Sequence, residues 1–117
     1  VNYSYAMAPG SQVAAVQNRA GNFVLPTPEN ATEGLAGIAL DSELKGTDPN
    51  PAGAQAYPIV AYTWLQNFPE HEKNKEIKEV FRYVLSPKAQ SRANPLGYVP
   101  LPEEIRLRAL ETVDTLT

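Results

Sequence analysis

The sequence predicts a mixed α/β chain. Two observations carry that class. Residues 1–6 and 57–65 alternate or concentrate β-branched and aromatic side chains in the manner of strands. Residues 72–85 place apolar side chains at helical spacing, and three Pro-marked starts open further helical stretches.

The elements follow in chain order. Val1, Tyr3 and Tyr5 alternate with Asn2, Ser4 and Ala6, which predicts a strand. Ala8-Pro9-Gly10-Ser11 is a turn. Val13 to Val16 fits a short helix or a strand. Asn18-Arg19-Ala20-Gly21 is a second turn, with Gly21 free to adopt positive φ, and Asn22 to Leu25 reads as extended, so a hairpin is expected around Gly21. Thr27-Pro28-Glu29 opens a helix with a hydroxyl cap, Pro at the first helical position and an acid near the positive end of the dipole. Ala31, Leu35 and Ile38 form its apolar face. Gly34 and Gly37 weaken it, by about 1 kcal/mol each relative to Ala, and suit a close neighbour.

Gly46 to Gln55, GTDPNPAGAQ, reads as an exposed loop or a boundary between two lobes. Charge changes across it. Arg19 and Lys45 against Glu29, Glu33, Asp41, Glu43 and Asp48 leave residues 1–56 acidic, whereas residues 57–117 balance. Tyr57 to Leu65, YPIVAYTWL, is the most apolar stretch and predicts a buried strand, with Pro58 near its start. Glu72 to Leu85 is the clearest helix, with Ile77, Val80, Phe81, Val84 and Leu85 on one face. Ser86-Pro87 restarts a short helix through Arg92, and Asn94-Pro95-Leu96-Gly97 ends it. Residues 98–101 are extended. Pro102 starts a last helix whose buried side carries Ile105, Ala109, Val113 and Leu116.

Composition narrows the function classes. The chain has 117 residues, a net charge of -3, no Cys and one His. It contains enough residues for one core. An acidic chain without a basic stripe does not match a nucleic-acid binder. Lack of Cys removes disulfides, thiolate metal sites and Cys nucleophiles. No apolar run approaches the length of a membrane helix.

Candidate chemistry is sparse. His71, flanked by Glu70 and Glu72, reads as a solvated side chain, because sequence neighbours do not converge on one helix face. Glu103 and Glu104 sit in a first helical turn, where acids offset the macrodipole. Lys73, Lys75, Lys78, Arg82 and Lys88 interleave with Glu70, Glu72, Glu76 and Glu79 as a solvated face, with Glu79 and Arg82 able to pair. Pro9-Gly10-Ser11 makes an anion nest only if a helix begins there. Asn2-Tyr3-Ser4 and Asn30-Ala31-Thr32 match the glycosylation pattern by chance. Tyr57, Tyr62, Trp64, Phe81 and Tyr98 read as core packing. No catalytic residue, metal ligand or cofactor fingerprint is assigned, and an enzyme is not expected.

Two stretches carry a resemblance: Ala56-Tyr57-Pro58-Ile59-Val60-Ala61-Tyr62-Thr63-Trp64-Leu65 and Leu96-Gly97-Tyr98-Val99-Pro100-Leu101-Pro102-Glu103-Glu104-Ile105. Together with Val1 to Ala6, Gly21 to Pro26 and Ser86 to Gln90, they resemble the phosphate-binding protein (PstS) family of bacterial phosphate ABC transporters, in its C-terminal portion. The resemblance implies a type II periplasmic-binding-protein fold of two α/β lobes with phosphate in the cleft, to which this chain contributes a part that is incomplete on its own. Residues 1–56 would end the second lobe. Residues 57–117 would supply the hinge-crossing strand and the C-terminal part of the first lobe.

The family's phosphate ligands are Ser and Thr hydroxyls, backbone amides, an Arg and an Asp from earlier in the chain. None of the matching motifs here is a ligand motif, so no phosphate-binding residue is carried over, and Arg19, Arg82, Arg92, Arg106 and Arg108 are not promoted. The implied partners are inorganic phosphate through the missing part, the N-terminal remainder of the same protein, and membrane transporter subunits, with no nucleic acid. The implied location is periplasmic or cell-envelope. A start without Met, in mid-strand, is read as belonging to a longer protein. A receptor for another oxyanion, a small self-contained α/β enzyme subunit, and an interaction protein using the Lys/Glu helix face are the alternative readings.

Overall fold

The computed structural model describes residues 2–117. Five helices and one hairpin order as α1 (Tyr3–Ala6), β1 (Val16–Gln17), β2 (Phe23–Val24), α2 (Pro28–Ala36), α3 (Asn74–Val84), α4 (Pro87–Gln90) and α5 (Glu103–Asp114), with a 3-10 turn at Asn94–Leu96 before α5. The chain thus mixes helix with a two-stranded antiparallel sheet in which Val16 faces Val24 and Gln17 faces Phe23.

Local sequence signals set most of these elements. The hairpin forms around Gly21, whose φ of 86° is the left-handed value the turn needs. Thr27 caps α2, its hydroxyl accepting the Asn30 N–H at 3.2 Å, with Pro28 in the first turn. Ala31, Leu35 and Ile38 are buried as their spacing requires. Gly34 lets α2 approach the chain closely: a Cβ there would lie 2.5 Å from the Tyr57 carbonyl oxygen. Ser86 caps α4 through the Ala89 N–H, and α4 ends at Gln90, short of Arg92. Pro102 occupies the N-cap position of α5.

Two strand expectations fail. Residues 3–6 form a helical turn, closed by the Tyr5 N–H on the Asn2 carbonyl at 3.0 Å, and the strand position expected for Val1 lies outside the described residues. A six-residue alternation specifies a strand only when a partner strand takes its backbone bonds, and none does so here among the described residues. The turn instead half-buries small Ser4 and Ala6 and leaves Tyr5 exposed.

Residues 57–65 fail differently. Pro58 and Tyr62 are buried and Val60 is half-buried, while Ile59, Ala61, Thr63 and Leu65 are exposed. That is the period-two burial of a strand with one covered face. Yet residues 58–67 make no backbone–backbone hydrogen bond among the described residues, so no ladder forms and the segment is neither a paired strand nor fully buried.

The helical expectation for residues 72–85 holds at 74–84, but its apolar face is only partly covered. Leu85 is buried and Ile77 and Phe81 are half-buried, whereas Val80 and Val84 are exposed. In α5 Val113 is buried and Ile105 and Ala109 are half-buried, and Leu116, just past its end, is half-buried as well. The central cluster is Leu35, Ile38 and Tyr62, backed by Leu40, Val60, Val99, Leu101 and Ile105. It draws on α2, the 57–65 segment and the approach to α5.

Candidate functional site

Three hydrogen-bonded arrays organise the polar groups. The first centres on Asn18, which is 6% exposed. Its Nδ2 donates to the carbonyls of Gly53, Ala54 and Ala56 at 3.4, 3.0 and 3.2 Å. Its Oδ1 accepts the Ala20 and Asn22 N–H groups at 3.1 and 3.0 Å. Asn22 Nδ2 adds a bond to the Ala54 carbonyl at 2.8 Å, and Glu33 Oε1 accepts the Gln55 N–H at 2.9 Å. The Gly/Pro-rich stretch at 46–55 is therefore pinned at its far end, with Pro51 fully buried inside it, and is not simply an exposed loop.

The second array hangs the 57–65 segment on the preceding chain. The Tyr57 N–H donates to the Asn30 carbonyl at 2.9 Å. The Tyr62 hydroxyl, in the core, donates to the Leu35 carbonyl at 2.8 Å, and burial pushes that phenol above its usual range. Trp64 Nε1 donates to the Leu44 carbonyl at 2.7 Å, with its ring edge-on to Tyr62 at 6.2 Å. Beyond Tyr57, side chains hold this segment. Of the aromatics expected in the core, Tyr62 is fully inside, Tyr57 and Phe81 are half-buried, Trp64 is at the margin and Tyr98 is exposed.

The third array joins α3 to α5. Reading α3 forward from Asn74, the partners run backward from residue 117, so the two helices lie antiparallel. Asn74, 2% exposed, donates to the Phe68, Pro69 and Thr117 carbonyls at 3.2, 2.9 and 2.7 Å and accepts from Asn67 Nδ2 at 2.7 Å. Lys78 donates to the Asp114 and Leu116 carbonyls at 3.1 and 2.8 Å, and Arg82 pairs with Asp114 at 2.6 Å. Cations placed on the last turn of α5 meet its exposed carbonyls and the negative end of its dipole. This overrides the expected Glu79–Arg82 pair, because Asp114 and the α5 terminus together offer Arg82 more negative potential than one neighbouring side chain.

At the other end, Arg106 grips Glu103 through two bonds at 2.8 and 2.6 Å and donates to the Leu85 carbonyl at 3.0 Å. The guanidinium beside Glu103 holds that carboxyl below its usual range. Glu103 is thus both a first-turn acid and an ion-pair partner.

These contacts occupy three of the five arginines, while Arg19 and Arg92 are exposed. Arg82, Arg106 and Arg108 all bond within the chain, Arg108 to the Asp41 carbonyl at 2.9 Å. No helix begins at Pro9-Gly10-Ser11; the Ser11 N–H closes a turn on Ala8. His71 is exposed, its Nδ1 accepting the Lys73 N–H at 3.2 Å, while its backbone N–H donates to the Thr117 carbonyl at 2.9 Å. A surface hollow bordered by Ser42, Arg108, Glu111, Thr112 and Thr115 lies against the last turns of α5. Thr112 and Thr115 donate to helix carbonyls at 3.1 and 2.7 Å, so their hydroxyl hydrogens are already engaged, and Glu111 and the helix C-terminus repel anions.

Sequence reasoning missed Asn18 and Asn74. A turn beginning at Asn18 is legible, but the contacts of its amide NH2 with the Gly53, Ala54 and Ala56 carbonyls are tertiary, with no local trace.

No protein-family model matches the chain. Two curated proteins do. The phosphate-binding protein PstS of Methanocaldococcus jannaschii is 33% identical over 134 aligned residues, covering 97% of this chain and 33% of that protein. The phosphate-binding protein PstS of Pasteurella multocida is 32% identical over 109 residues, covering 90% of this chain and 32% of that protein. The chain spans about a third of the length of the curated relatives it matches.

Proposed function

We propose that this chain is the C-terminal part of an extracytoplasmic phosphate-binding receptor of an ABC transporter, with a structural role and no enzymatic one. The observation that carries the reading is the match to two phosphate-binding proteins along 97% and 90% of the chain. In this reading residues 1–56 end the second lobe, residues 57–117 supply the hinge-crossing segment and finish the first lobe, and the phosphate ligands come from the remainder of the receptor. Membrane transporter subunits are the docking partners.

Surface arithmetic supports the reading. The accessible surface is 8082 Å², against about 6,300 Å² for a compact protein of this mass. The radius of gyration is 15.8 Å, against about 13 Å for a compact chain of this length. Surface in that excess suits a chain that packs on further polypeptide. The internal use of Arg82, Arg106 and Arg108 supports a cleft whose charge is supplied elsewhere.

Isothermal titration provides the test. Phosphate added to this chain by itself is expected to give no binding heat, and micromolar binding overturns the structural role. A chimera in which the chain replaces the matched third of the Methanocaldococcus jannaschii protein is expected to bind phosphate. A folded chimera that does not bind overturns the receptor reading.

A further inference from the structure

The loop between Ala39 and Gly46 is closed from within and clamped from outside. At its neck a Cβ on Gly46 would run into the Ala39 carbonyl oxygen, so the two ends press together as only glycine permits. Inside, Asp41 gathers the chain. Its N–H donates to the Lys45 carbonyl at 2.9 Å, and its Oδ1 accepts the Glu43 and Lys45 N–H groups at 2.8 and 2.9 Å. This tight path holds Leu44 at a φ of 61°, the only positive φ of a residue other than glycine among the described residues. Leucine is disfavoured in that left-handed region, because its Cβ crowds the backbone carbonyl.

Two groups from distant segments hold the loop against that strain. Trp64 Nε1 donates to the Leu44 carbonyl at 2.7 Å, and Arg108, on α5, donates to the Asp41 carbonyl at 2.9 Å. The Leu44 N–H donates to that same Asp41 carbonyl at 3.1 Å, so the Arg108 bond and the Leu44 turn share one acceptor. A strained residue persists only where its surroundings over-determine it, and here the two outside bonds complete those surroundings. With its neck pressed shut at Gly46, the loop is either closed or open, with little between.

We propose that residues 39–46 form a strained latch that fastens the 57–65 segment to α5 and releases both together. Loss of either outside bond lets Leu44 relax to an ordinary φ, which carries the Leu44 and Asp41 carbonyls away from the remaining donor. Positions 64 and 108 are coupled through the loop, and by linkage each feels the other equally. The inference rests on the geometry of this loop and not on the receptor reading. Within that reading the loop ends one lobe and α5 belongs to the other, so the latch is a catch between lobes beside the crossing segment.

Trp64 is the sole Trp of the 117-residue chain, so its indole N–H gives one resonance that reports the latch. Hydrogen exchange of that indole N–H and of the Leu44 and Lys45 amides, followed by NMR, tests the coupling. Arg108→Ala is expected to speed Trp64 indole exchange by at least about twofold, although no bond joins the two side chains. Trp64→Phe is expected to speed the Leu44 and Lys45 amides by a similar factor. The Asn18 and Gly21 amides bond within the hairpin and should keep their rates, which separates opening of the latch from unfolding of the chain. Leu44→Gly removes the strain, so in that background Arg108→Ala should leave the indole rate unchanged. An indole N–H that is unprotected in the unaltered chain overturns the proposal. So does an indole rate that Arg108→Ala leaves alone, a change shared by the hairpin amides, loop amides that ignore Trp64→Phe, or an undiminished response in the Leu44→Gly background.

Discussion

Asn18 and Tyr62 show how single polar side chains hold a chain with little core. Asn18 uses its amide toward three carbonyls and its oxygen toward two N–H groups, all against low exposure. Asn18→Ala leaves those groups unpaired, and chemical denaturation is expected to show a loss of about 2–3 kcal/mol. Tyr62→Phe keeps the ring and removes only the bond to the Leu35 carbonyl. Its expected cost is about 1 kcal/mol in the same measurement. Gly34 gives the opposite lesson. In an isolated helix Gly→Ala gains about 1 kcal/mol, but here the new Cβ meets the Tyr57 carbonyl oxygen at 2.5 Å. Overpacking against backbone costs about 1–3 kcal/mol, so Gly34→Ala is expected to lower the melting temperature. Thr27, Pro28, Ser86 and Gly21 were legible from local chemistry because caps and positive-φ turns are decided within four residues. Asn18 and Asn74 were not, because their partners lie far along the chain.

At the scale of elements, α3 and α5 are joined end to end by charge as much as by apolar contact. Arg82–Asp114 is exposed on both sides, so Arg82→Ala is expected to cost under about 1 kcal/mol. The Glu103–Arg106 pair has a sharper signature. The folded carboxyl titrates below its ordinary value, so the unfolded chain binds the proton first as pH falls. The pair's contribution is complete above the ordinary Glu range and is lost as pH drops through the folded value. Glu103→Gln is therefore expected to lower the melting temperature slightly near neutrality and to flatten its fall from about pH 4 downward, so that the two proteins converge at low pH. The helical periodicity of residues 74–84 was readable because helices satisfy their own backbone bonds. The strands expected at 2–6 and 57–65 do not form because a strand's bonds are made by another segment, and alternation alone does not provide one.

For the whole molecule, exposed surface is the governing quantity. Tyr5, Phe23, Ile59 and Phe68 are each more than 70% exposed, and the dimensions are 48 by 31 by 21 Å. Unfolding such a chain newly exposes less surface than unfolding a compact one. The urea m-value is expected to fall below that of a compact protein of equal length, and an equal value removes this inference. What the sequence by itself determined was local: the hairpin turn, the capped starts of α2 and α4, the buried stripe of Ala31, Leu35 and Ile38, and the likeness in residues 56–65 and 96–105 to phosphate-binding proteins. Only the tertiary structure decided where Asn18 and Asn74 anchor, which carbonyls Lys78 and Arg106 cap, and that residues 58–67 join no backbone ladder among the described residues. Caps and stripes arise from neighbours a few residues apart. Clamps and edges are set by which distant segments meet, and no local pattern encodes that meeting.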